Sequence, residues 1–146
     1  MAHQPRRPRT VVGVDGSDAS NRALRWALDH ARATGSVVEA VHAWEPPSQF
    51  GIPLAVLPRV NPAVAAEQVI ATAIDRAAGG EPGVPVERRP VRGEPGPVLV
   101  ERARTADLLV VGSHGQRGLL GTMVGSVSQY CVDHATCPVV VVKSAA

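Results

Sequence analysis

Residues 108–132, LLVVGSHGQRGLLGTMVGSVSQYCV, constrain the fold more than any other stretch. An apolar run, Leu108 to Val111, is followed by Gly112, Gly115, Gly118, Gly121 and Gly125 within fourteen residues, and from Ser126 the pattern reads as helix. The order is therefore strand, glycine-rich loop, helix start. Glycines permit positive φ and close backbone approach, so successive N–H groups can point into one concavity. The first helical turn, at Gly125, Ser126, Val127 and Ser128, adds donors without intrahelical partners and the positive end of a helix dipole. An anion is expected there.

The loop does not fit the commonest phosphate-binding signatures. It holds no lysine and no G-x-x-x-x-G-K-[ST], which argues against a P-loop, and its spacing is longer than G-x-G-x-x-G allows. The complete pattern, Gly112-x2-Gly115-x9-Gly125-Ser126, with VDGS at 14–17 and CPVVVV at 137–142, resembles the universal stress protein family in its ATP-binding branch. The resemblance covers nearly the whole chain, about residues 8–143.

Composition bounds the alternatives. A chain of 146 residues and 15.2 kDa is one domain able to bury a core, and with 3% aromatics that core is aliphatic. The net charge of +2, much of it from Arg6, Arg7 and Arg9, argues against a dedicated nucleic-acid surface. No apolar run approaches a membrane span, and residues 1–10 lack the hydrophobic segment of a signal peptide. The expectation is a cytoplasmic protein with Cys131 and Cys137 as reduced thiols. Cys131, His134 and Cys137 have a metal-like spacing, but a fourth ligand is missing and packing explains them; no resident metal is expected.

Along the chain, residues 1–8 read as a disordered tail and 9–146 as one domain. Residues 9–14 form a first strand ending at Asp15-Gly16. Ser17 is an N-cap candidate for a helix with Ala23, Leu24, Ala27, Leu28 and Ala31 on one face, stopped by Gly35. Residues 37–44 form a second strand. Residues 45–62, with five prolines, form a long surface loop over the ligand side. A second helix, 63–78, ends at Gly79-Gly80. Residues 84–91 suit an edge strand because of Pro85 and Pro90. A third helix spans 95–106, a fourth strand 107–112, a fourth helix 125–134 and a last strand 138–143. Alternation of strands and helices implies a parallel α/β sheet with right-handed crossovers.

The resemblance implies the rest: a Rossmann-like five-stranded parallel sheet of order 3-2-1-4-5 with helices on both faces, of the adenine nucleotide alpha hydrolase-like type. That order places the ends of strands one and four side by side at a switch point, where ligands bind. ATP, with Mg²⁺, is the implied ligand. Gly112 and Gly115 would line the ribose and phosphate path. Gly125, Ser126, Val127 and Ser128 would hold phosphates through backbone and hydroxyl, and Val111 would make an apolar contact. Asp15 would bond the nucleoside or help hold Mg²⁺, with Gly13 and Val14 on the same wall, and Ala43 would meet adenine through its backbone.

Each residue also has a plainer reading. Asp15 suits a turn cap. Arg117 suits a solvated loop position as well as a phosphate partner. His114 has no Ser-His-Asp order or paired carboxylate to make it a general base. His30, His42 and His134 are expected to pack or cap, and Trp26 and Trp44 to pack. Val139 to Val142 suits a buried strand; in the family the last strand commonly pairs with a second subunit, which implies a homodimer. The functional expectation is a nucleotide-dependent regulator of stress response or growth arrest, read by an unidentified protein partner and not an enzyme beyond slow hydrolysis. The alternatives are an ATP-cleaving or nucleotidyl-transferring enzyme using the same crevice and a nucleotide-free dimerisation module.

Overall fold

A computed structural model describes residues 6–46, 61–114 and 125–143. The elements are β1 (Arg9–Gly13), α1 (Asp18–Thr34), β2 (Val37–Trp44), α2 (Pro62–Ala78), β3 (Val86–Arg92), α3 (Pro95–Ala103), β4 (Leu108–Gly112), α4 (Ser126–His134) and β5 (Val139–Val142). All strand pairs are parallel, and the sheet order is β3-β2-β1-β4-β5. Elements follow the expected ones, with ends displaced by a few residues; α3 stops at Ala103 rather than 106.

Period-two alternation in the strands builds two cores. Val12, Val38, Ala40 and Val110 face α1 and α2, meeting Leu24, Leu28, Ile70 and Ile74. Val11, Val41, Leu109 and Val111 point the other way, towards Leu99 and Ala103 of α3 and Cys131 of α4. The expected caps are in place. Ser17 Oγ accepts from Ser20 N at 3.2 Å, and Gly35 (φ 74°) and Gly79 (φ 65°) end α1 and α2 in the left-handed conformation that glycine adopts without strain.

Two features differ from expectation, and a third had no sequence reading. Arg6, Arg7 and Pro8, assigned to a tail, bond the body: Arg6 donates to Thr105 O at 2.9 Å, Arg7 to Gly35 O at 3.0 Å, and Pro8 O accepts from Val37 N at 2.8 Å. Trp26 is 37% exposed and stacks on His30 with ring centroids 5.1 Å apart, so it covers helix surface instead of filling the core. Glu39, inside β2, is 1% exposed. Its carboxylate accepts from Arg9 Nε at 3.3 Å and from Arg102 Nε at 2.5 Å, while Arg9 also pairs with Glu87. A buried carboxylate is tolerated only when so compensated, and the pairing mainly offsets its desolvation.

This topology positions the ligand side. β1 and β4 are neighbours, with Thr10, Val11 and Val12 opposite Leu108, Leu109 and Val110. The chain leaves β1 for α1 on one face and reaches α4 from β4 on the other. Their carboxyl ends therefore open a crevice between diverging connections.

Candidate functional site

At that crevice lies a cavity of about 910 Å³. Gly13, Val14 and Asp15 bring the end of β1 to it, Ala43 the end of β2, Val111 and Gly112 the end of β4, and Gly125, Ser126, Val127 and Ser128 the start of α4. Residues from four elements, as far apart in sequence as Gly13 and Ser128, thus share one wall. Of the expected site residues, Gly115 lies outside the described residues, as do Arg117 and positions 47–60 of the long loop. A smaller cavity of about 310 Å³ opens between α1 and α2, with Asp15 and Gly16 at its rim; the α4 donors do not reach it.

The β4–α4 junction is tightly tied. Ser113 N donates to Val142 O at 3.0 Å, and Gly125 N donates to Ser113 O at 2.6 Å. Ser128 is 2% exposed, and its hydroxyl donates to Gly125 O at 2.9 Å and Ser113 O at 3.3 Å. Two expectations change here. Gly125 N–H is not an unpaired donor, and the Ser128 hydroxyl holds the helix start in place instead of facing a ligand. The donors left by the helix geometry are the N–H groups of Ser126, Val127 and Ser128, joined by the exposed Ser126 side chain.

The glycines also act differently from the expectation. Gly112 and Gly125 do not take positive φ; Gly125 has φ −67°. Their requirement is close approach within the fold itself. A Cβ on Gly112 would stand 2.7 Å from the Ala19 carbonyl carbon, and one on Gly125 would stand 2.9 Å from Ser113 O. These glycines press the start of α1 against β4 and the start of α4 against the β4 end.

Asp15 makes the turn contacts of its plainer reading. Its Oδ1 accepts from Ser17 N at 2.9 Å and Ser17 Oγ at 2.5 Å, so the carboxylate is oriented by the cap of α1 while lining the cavity. His42 donates Nδ1–H to Val14 O at 2.7 Å, which ties β2 to the end of β1 and makes His42 the capping residue expected. His134 caps too, bonding Tyr130 O at 3.0 Å in the last turn of α4.

Several lining residues had no role in the sequence reading: Glu45 after β2, Glu94 and Gly96 at the β3–α3 turn, and Tyr130 on α4. The available signal was GEPGP at 93–97. Gly93 takes φ 145°, Pro95 opens α3, and Gly96 lets α3 approach the Tyr130 ring, to which a Cβ would come within 2.8 Å. The lining thus carries the carboxylates Asp15, Glu45 and Glu94 and the imidazoles His42 and His114, with no lysine or arginine among the described residues.

Cys131 and Cys137 pack in the core between the sheet and α3/α4. Burial, with Cys137 nearby, pushes the Cys131 thiol up to about 11, and burial also raises Cys137. Among the described residues, no three His, Cys, Asp or Glu side chains gather as metal ligands, and no helix is long and apolar enough to cross a membrane.

The universal stress protein family model matches residues 7–143. The chain belongs to the universal stress protein family. A universal stress protein of Mycolicibacterium smegmatis is 37% identical over 97% of this chain, which spans 47% of that protein. The chain is about half the length of the curated relatives it matches. Among solved structures, a universal stress protein in complex with cAMP superposes with a TM-score of 0.69 at 31% identity, covering 95% of this chain and 98% of that one. One from Archaeoglobus fulgidus in complex with dAMP gives a TM-score of 0.69 at 24% identity, covering 94% and 98%, and supports the fold.

Proposed function

We propose that the chain binds an adenine nucleotide in the 910 Å³ cavity and acts as a nucleotide-dependent regulator, a binding protein instead of a catalyst. The observation carrying this reading is the convergence of Asp15, the β4 end and the first turn of α4 on one cavity. The N–H groups of Ser126, Val127 and Ser128 suit phosphate oxygens. Asp15, held by Ser17, suits a ribose hydroxyl or a Mg²⁺ on the phosphates. Val14, Ala43 and Val111 supply the apolar wall for the base.

ATP with Mg²⁺ is the ligand the sequence pattern favours. The charge of the lining favours a second form. With three carboxylates and no described cation other than histidine, a polyphosphate needs a divalent metal, whereas a cyclic or monophosphate nucleotide enters with less repulsion. The 31%-identical neighbour in complex with cAMP supports that form. In either case, ligand binding would bias the surface around the cavity for a protein partner in the cytoplasm. β5, a four-residue valine strand at the sheet edge, suits pairing with a second copy.

Asp15→Asn separates ligand contact from turn capping, because the amide oxygen can still accept from Ser17. Expected is a stability within about 0.5 kcal/mol of wild type, as for a substitution that keeps its bonds, with a nucleotide affinity reduced about tenfold by calorimetric titration. Unchanged affinity in the folded variant would remove Asp15 from the site.

A further inference from the structure

The ring of His114 has no role in the fold as described. It follows Ser113 at the end of β4 and lines the large cavity, and its Nδ1 is buried with no hydrogen-bond partner among the described residues. Buried polar atoms are nearly always partnered, so one that is not, in a residue lining a cavity, marks a place where a ligand can complete the set. The backbone of His114 is also close to the anion-binding turn. A side chain on Gly125, the residue before α4, would begin 3.4 Å from His114 Cα.

Resting on the nucleotide reading above, we infer that His114 is a phosphate-contacting specificity residue, donating from its ring to a phosphate oxygen held at the start of α4 and taking up a proton as the nucleotide binds. The chemistry follows from the lining. Phosphate in this cavity meets helix N–H groups and carboxylates, and the described lining offers no permanent cation. An imidazole facing a phosphate oxygen forms its stronger, charge-assisted bond as the imidazolium, so the anion draws a proton onto the ring. Binding of nucleotide and proton is then mutually reinforcing, and affinity rises as pH falls through the range in which histidines titrate.

Among the described residues, the other titratable groups lining the cavity are Asp15 at the end of β1, His42 and Glu45 on β2 and beyond it, Glu94 at the start of α3 and Tyr130 on α4. His42 is the one other imidazole there, and it is committed to Val14 O. It is therefore the control.

The test uses cAMP, whose phosphodiester carries one charge throughout the pH range, so that protons exchanged on binding come from the protein. Titration calorimetry of the nucleotide-free full chain is run in buffers of different ionisation enthalpy at about pH 6 and about pH 8, a window that brackets ordinary histidine titration. A third titration, near pH 7, lies where the free and bound rings differ most in protonation, so net proton uptake is expected there, and the affinity should be roughly three- to tenfold tighter at the lower end of the window than at the upper. His114→Gln and His114→Asn should abolish the uptake and flatten the profile at the wild-type high-pH affinity, while His42→Gln retains both. Wild-type binding without proton uptake overturns the inference, and so does uptake that survives in both His114 variants or vanishes only in His42→Gln. Failure of the wild type to bind cAMP, AMP, ADP or ATP at any pH overturns the nucleotide reading itself, and the His114 assignment with it.

Discussion

Gly112→Ala tests whether the switch-point crevice is shaped by backbone contact. The added Cβ would stand 2.7 Å from Ala19 C, 2.8 Å from Ala19 O and 3.0 Å from Ala19 Cβ. Ordinary carbon contact is about 3.5 Å, so the start of α1 must retreat by about 0.8 Å. Ala19 is 8% exposed in the first turn of a helix anchored by Leu24 and Leu28, and backbone cannot rotate aside as a side-chain tip can. An overpacked contact of this kind costs about 2–3 kcal/mol, which for a chain of this size lowers Tm by about 6–9 °C. Gly13→Ala is the matched comparison. Its Cβ would meet Leu99 Cδ1 at 2.8 Å, the movable end of a side chain. Rotamer adjustment there costs about 1 kcal/mol and is partly offset by the reduced entropy of the unfolded chain, so its Tm should change by at most about 3 °C. Both proteins are melted by differential scanning calorimetry. If Gly112→Ala melts within about 2 °C of wild type, or above Gly13→Ala, the rigid-contact argument fails.

Two further outcomes follow. Cys131 is fully buried and its thiol is raised from 9.0 to about 11, so the unfolded chain releases this proton first. Stability from this residue should be intact below pH 9 and decline between pH 9 and about 11, by on the order of 2 kcal/mol, in urea titrations; a flat profile there would contradict the burial argument. The β5 edge should support a dimer by sedimentation equilibrium, and a monomer at the highest concentration reached would show that the edge is left unpaired in solution.

Much of the fold was legible because local signals agree. Valine and leucine runs mark β1, β4 and β5, and Ser17, Gly35 and Gly79 mark helix ends. Strand order was available only through the family pattern, since periodicity does not say which strands are neighbours. Glu39 illustrates what remains hidden: nothing within VVEAVHAW marks its carboxylate as buried, because its burial depends on Arg9 and Arg102, which are 30 and 63 positions away. At the site, the Asp15 and Gly125–Ser128 walls could be read from motifs. The Glu94, Gly96 and Tyr130 wall could not, because it exists only once α3 packs on α4. The glycine pattern was legible as a need for close approach, but the approaching group at Gly112 proved to be Ala19 of the protein itself.

The most direct test of the central claim is to denature freshly purified protein, identify any released nucleotide by mass, and titrate the stripped, refolded chain with cAMP, AMP, ADP and ATP, the last with and without Mg²⁺. The account predicts saturable, stoichiometric binding of an adenine nucleotide, with ATP requiring a divalent metal to offset the carboxylates of the lining. Recovery of no adenine nucleotide, together with no measurable binding of any of the four, would contradict it.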